Sequence, residues 1–313
     1  MGKKQNEQKV FDLSWNNKLP LQCWDMGYMS RYIVFYSFHR IDKLSLHRLM
    51  RLKRMNPNIT IVPRFGIPPS MYFPTFIRSD NSYFRYFFSS SVDEQILTWL
   101  RPDAFFKLNR FLTKKVESIH RRTEIDALSG LLRKAGMKLY CDFTPMAWYN
   151  MDLSILNWFL SEGKNYDFEF LVYFEYDMYQ TRTIEQLYDK YLQYDAGFVG
   201  YSKARSDWTF THKPVGSRGS VFRWFQKRNK VPVQYKGFTP GCMISRKALA
   251  QLAELRLPFA ICELRLPTVL SGLGFSCVRL DFPMVSLRPL SKVDVEANSD
   301  YGLFHPVYED FDL

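Results

Sequence analysis

Two carboxylates, Glu175 and Asp177, close a run of apolar and aromatic residues, Phe168 to Met178, that reads FEFLVYFEYDM. A short, continuous apolar run predicts a strand buried on both faces. Side chains at i and i+2 of a strand point the same way, so Glu175 and Asp177 share a face and Tyr176 takes the other. Acids at the carboxyl end of a central strand lie where open α/β sheets bind ligands. Together they make a hard oxygen site suited to Mg²⁺ or Mn²⁺ carrying a diphosphate. A strand running into a solvated acidic loop would be spelled the same way, and the spacing alone leaves both readings open.

The elements that must position these acids alternate along the chain. Arg31 to Phe38 is β-branched and aromatic and predicts the first core strand. Leu44 to Met55 has apolar residues near helical spacing, and Ile59 to Pro63 is a second strand, which completes a βαβ unit. Val92 to Lys134 reads as mostly helical, and Met137 to Asp142 as a third strand. A helix over Asn150 to Leu160 precedes the acid-tipped strand, and a helix capped by Thr183 follows it. Asp195 to Tyr201 is a further strand, helices run from Ser245 to Leu255 and from Glu263 to Ser271, and Gly274 to Leu280 is the final strand expected. Residues 64–91 and 202–235 read as long loops. This alternation predicts one α/β domain with a mixed, mostly parallel central sheet flanked by helices. Residues 1–30 form a lead-in, and the domain spans 31–313.

The chain has 313 residues, 46% of them hydrophobic and 17% aromatic, which suits a large core. Its longest apolar runs are far short of the ~20 residues of a membrane span, and its polar first ten residues lack the apolar core of a secretory signal. Five scattered cysteines without a CxxC argue against zinc and a disulfide framework, so a reducing, cytoplasmic location is expected. The net charge of +12 is uneven: Arg40 to Arg54 and Lys203 to Lys230 are basic, and Asp294 to Leu313 is acidic. Such a field attracts polyanions, whether nucleotides, nucleic acid or an anionic membrane surface, without choosing among them.

Four stretches together resemble a nucleotide-sugar glycosyltransferase of the GT-A type, similar to family 2. They are the first strand with its His39-Arg40-Ile41-Asp42 turn; the helix from Asn150 leading to Glu175-Tyr176-Asp177; Gly241-Cys242-Met243-Ile244-Ser245; and Cys262-Glu263-Leu264-Arg265. The late Phe304-His305-Pro306 resembles the C-terminal histidine that completes metal coordination in many such enzymes. The resemblance covers roughly residues 30–310, with a nucleotide-binding half over about 31–200 and an acceptor-binding half over 201–313. Glu175 stands where such enzymes more commonly have an aspartate.

The resemblance implies a GT-A-like fold and transfer of a sugar from a nucleotide-diphosphate donor to a glycan, lipid-linked or other hydroxyl acceptor. It implies Asp177 and His305 as ligands of Mn²⁺ or Mg²⁺, with Glu175 supporting the ribose or a metal-bound water. Glu263 is the candidate general base, and a base on the far face of the sugar gives inversion. Arg40, Asp42, Asp142 and Asp152 are candidate donor contacts. Each has a plainer role open to it: a solvated turn for Arg40 and Asp42, a cap or turn for Asp142, a helix-start acid for Asp152.

The basic, aromatic Gly216 to Lys230 segment reads as a lid over the diphosphate, with peripheral contact to an anionic membrane as the other expectation. A nucleic-acid-binding protein is the rival reading from another class, though nucleic acid is not the expected partner. A nucleotidyltransferase shares the metal logic but usually carries a glycine-rich phosphate loop, absent from the HRIDKLS after the first strand.

Overall fold

The computed structural model describes residues 30–39, 42–66, 122–142, 151–205, 226–227, 230–231, 233–255, 257 and 261–309, with the backbone alone for 122–124 and 142. The expectations for residues 1–29, Arg40, the whole of 67–121 and the lid segment over 206–225 lie outside the described residues.

Strand β1 (Tyr32–Phe38) is apolar throughout and buried on both sides. That suits it to the middle of a sheet, and it pairs in parallel with β2 (Thr60–Gly66) on one side and β4 (Phe170–Glu175) on the other. Strand β3 (Tyr140–Asp142) extends the β2 edge, also in parallel. Beyond β4 come β7 (Tyr235–Ser245), β6 (Ala196–Lys203) and β8 (Cys277–Leu280), in the order β3-β2-β1-β4-β7-β6-β8. Strand β7 runs antiparallel to both of its neighbours, while β6 and β8 run together. The sheet is therefore mixed and mostly parallel, as the alternation of elements predicts.

Period-2 alternation in the central strands divides two cores. Ile33, Phe35, Leu171 and Tyr173 face α3 (Met151–Ser161), α5 (Arg246–Ala253) and α6 (Cys262–Gly272). Val34, Tyr36, Val172 and Phe174 face α1 (Lys43–Met55), α2 (Arg122–Lys134) and α4 (Ile184–Tyr188). Helices thus cover both faces, the arrangement that parallel strands need to bury their backbone.

A second, three-stranded sheet has the order β5-β10-β9, from Tyr179–Gln180, Leu303–Val307 and Val285–Leu290. Short helix α7 (Lys292–Ala297) connects β9 towards β10, started by a capping box between Ser291 and Asp294. Two of these strands follow Leu280, where the sequence reading stops. Strand β9 carries a proline and exposes Leu287, Arg288 and Pro289, as an edge strand does. That composition hides it from a search for buried apolar runs.

The two sheets approach closely where β7 passes β10. Gly241 in β7 has φ +75°, and a Cβ there would press on Leu303 of β10 and on Met178. Its carbonyl accepts a 2.8 Å bond from the buried Tyr188 hydroxyl. A left-handed residue at such a close approach is best served by glycine.

Candidate metal centre and its flanking carboxylate

The chain runs outward from β1 to β2 and β3, then returns to lay β4 on the other side of β1. Strand order reverses between β1 and β4, and ligands of open α/β sheets bind at the carboxyl ends there. Glu175 is the last residue of β4, at that edge.

Asp177 does not continue the strand. It lies in a turn, with Met178 N–H donating to Glu175 O at 3.0 Å. The two acids converge because the chain curls at Tyr176, not because of strand alternation. The small sheet completes the site: Val307 N–H donates to Asp177 O at 2.8 Å, which draws β10 and its His305 against the turn. His305 Nε2 lies 3.4 Å from Asp177 Oδ1 and 3.5 Å from Glu175 Oε2. One ligand atom from each of Glu175, Asp177 and His305 falls within a 4.8 Å cluster.

His305 is oriented from behind. Its Nδ1 is 2.9 Å from Ser286 O, and a carbonyl can only accept, so Nδ1 carries a proton. The Nε2 edge faces the two acids. The edge of His305 also meets the Phe238 ring at 5.3 Å. Burial alone would lower the His305 pKa, but Asp177 and Glu175 outweigh it and raise it to about 10. In the protein without a cation, the imidazolium balances the two acids.

The donor set fits a divalent cation. Asp177 is 6% exposed, and its buried Oδ1 has no close hydrogen bond, only the His305 Nε2 edge at 3.4 Å. A buried carboxylate oxygen in that condition is costly unless a cation meets it. Two carboxylates and a neutral imidazole are a donor set that a divalent cation such as Mn²⁺ or Mg²⁺ accepts. Tyr308 lies near the site, and burial and the Asp177 charge raise its pKa.

Glu263 stands across from this cluster, in the first turn of α6. Burial first, then the Glu175 charge, raise its pKa to about 7; His305, the Thr239 backbone N–H and Lys236 act in the opposite sense. A half-buried carboxyl poised near neutrality is suited to accept a proton.

Of the residues read as donor contacts, Asp42 caps α1 and accepts from Ser45 N–H at 2.8 Å. Asp152 is a structural acid: Arg265 donates Nε to Oδ2 at 2.7 Å and a second nitrogen to Oδ1 at 2.5 Å, with both side chains 2% exposed. Its oxygens are taken, so the expected donor contact gives way to a buried ion pair. Asp142 ends β3 beside Gly66, its side chain outside the described residues.

Sequence reading missed Tyr173, Ser37 and Arg64, which stand behind Glu175. An arginine inside the apolar IVPRFG strand was the one available signal. Compared with known proteins, the chain matches no protein-family model and no curated protein.

Proposed function

We propose that this protein is a metal-dependent glycosyltransferase that moves a sugar from a nucleotide-diphosphate donor to an acceptor hydroxyl with inversion. The observation that carries the reading is the joining of Glu175, Asp177 and His305 at the switch point of the sheet, with Glu263 beside them. The strand order, with one antiparallel strand among six that run together, is compatible with the GT-A-like fold that the sequence resembles.

Asp177 and His305 would hold Mn²⁺ or Mg²⁺, with Glu175 as the third ligand or as acceptor for a bound water. When bound, such an ion neutralises the charge that develops on the departing diphosphate. His305 must give up its Nε2 proton to serve as a ligand, so binding releases a proton. Glu263 takes the proton of the attacking hydroxyl. Its raised pKa matches that task, and a base on the far face of the sugar gives inversion. The Asp152–Arg265 pair fixes the helix turn from which Glu263 projects.

The test is a thermal-shift and calorimetric screen of nucleoside diphosphates and nucleotide sugars, with and without Mn²⁺. A ligand that binds only the folded state raises the melting temperature by mass action. Stabilisation by a nucleoside diphosphate only when Mn²⁺ is present supports the reading. No response to any nucleoside diphosphate with Mn²⁺ overturns it.

A further inference from the structure

The side chains of three adjacent strands form a directed chain of hydrogen bonds that ends on Glu175. In the register, Ser37 of β1 stands opposite both Arg64 of β2 and Glu175 of β4. Arg64 donates to Ser37 Oγ at 3.2 Å. The Ser37 hydroxyl faces that of Tyr173, and the single Tyr173 proton goes to Glu175, so between the two hydroxyls the serine is the donor. Tyr173 donates to Glu175 Oε1 at 2.9 Å.

Each donor therefore points from a guanidinium towards a carboxylate. Arg64 and Tyr173 are 2% and 3% exposed, so water does not screen the row. Gly66 helps to set it, because a Cβ there would fall 2.1 Å from an Arg64 nitrogen. Hydrogen bonds in such a series polarise one another, and the effect is greatest where the dielectric is low. The far oxygen of the carboxylate, Oε2, is the one turned to His305.

We infer that Arg64, Ser37 and Tyr173 are positioning residues for a divalent cation at Glu175. The relay holds Oε1 and aims Oε2 at the site. This rests on the metal reading above and extends it to residues that touch no substrate. Outer partners of metal-bound carboxylates typically contribute about 10–100-fold to affinity.

The test is Mn²⁺ binding by the full chain, followed by electron paramagnetic resonance of the free ion, with no substrate and no turnover. Tyr173→Phe removes only the hydroxyl and should weaken Mn²⁺ about 10–100-fold. Ser37→Ala breaks the row one step upstream and leaves the Tyr173 bond, so its loss should be smaller. A purely structural role would lower the melting temperature of Tyr173→Phe and leave the Mn²⁺ affinity of the folded protein unchanged, which overturns the inference. Should Tyr173→Phe not fold, the Ser37→Ala affinity decides: a loss sustains the relay and wild-type affinity overturns it. A wild-type chain that ignores Mn²⁺ overturns the metal reading itself, and this inference with it.

Discussion

Arg265 grips both carboxylate oxygens of Asp152, and the pair, almost wholly buried, ties the first turn of α6 to the first turn of α3. Glu263 leaves α6 two residues before Arg265. Removing one partner strands a buried charge, which typically costs about 3–5 kcal/mol. Asp152→Ala should therefore lower stability in urea by that amount. Replacing both partners by Leu and Met should recover much of it, since an apolar pair of similar volume is often neutral. Equal stability of wild type and Asp152→Ala would contradict a buried, paired Asp152.

Asp177→Asn keeps the shape of the side chain and removes the charge facing His305. It should abolish Mn²⁺-dependent binding of a nucleoside diphosphate while the circular dichroism spectrum stays that of the wild type. Mn²⁺-dependent binding at wild-type affinity in the mutant would remove Asp177 from the ligand set.

The site was legible in part because its chemistry is local in sequence at one end and rare at the other. The acid pair after FLVYF marks the end of a core strand, and Glu263 opens a helix. What the letters could not give was how the parts come together. Asp177 meets Glu175 through a turn instead of strand alternation, and His305 arrives on β10, a short buried strand that carries a His-Pro pair and lies in an acidic segment. Asp152 read as a candidate donor contact or a helix-start acid because its partner, Arg265, is remote in the chain, and pairing of that kind is a property of the fold. Ser37 and Tyr173 are ordinary strand residues by composition, and only the register across β1 and β4 makes them a row.

The positive net charge invites a nucleic-acid reading that the basic helix weakens. Arg48 of α1 is 5% exposed and donates to Glu309 O at 2.7 Å. Arg51 lies over the Tyr179 ring and donates to Gln180 O. Lys53 reaches the Pro57 and Ile59 carbonyls. These cations are spent on the protein's own carbonyls and rings instead of being displayed. Oligonucleotides should bind weakly and lose affinity steeply with salt, as purely electrostatic contacts do. Sub-micromolar binding at ~0.15 M salt would favour the nucleic-acid reading instead.

The sharpest prediction concerns Glu263, because the same property should appear in stability and in rate. Its pKa is raised from the ordinary carboxylate value to about 7 in the folded protein. The folded state therefore holds the proton more tightly than the unfolded chain. The stability tied to this group is complete below the unfolded pKa of ~4.5 and is lost as pH rises through about 7. Glu263→Gln cannot ionise, so it should match the wild type at pH 4 and exceed it above pH 7, by on the order of 1–3 kcal/mol. Thermal melts of both proteins across that range check the sign; a mutant less stable at pH 8 would contradict a strained, buried carboxylate. The rate should move the other way. Transfer needs the ionised base, so kcat/KM of the wild type should rise with pH through about 7. Glu263→Gln should lose about 10²–10⁴-fold in kcat and keep its affinity for the donor. A loss below ~10-fold is too small for a general base. The product supplies an independent check: an α-linked donor should give a β-linked product. Retention of configuration would take Glu263 out of the base role and leave the site at Asp177 standing, as part of a retaining transferase.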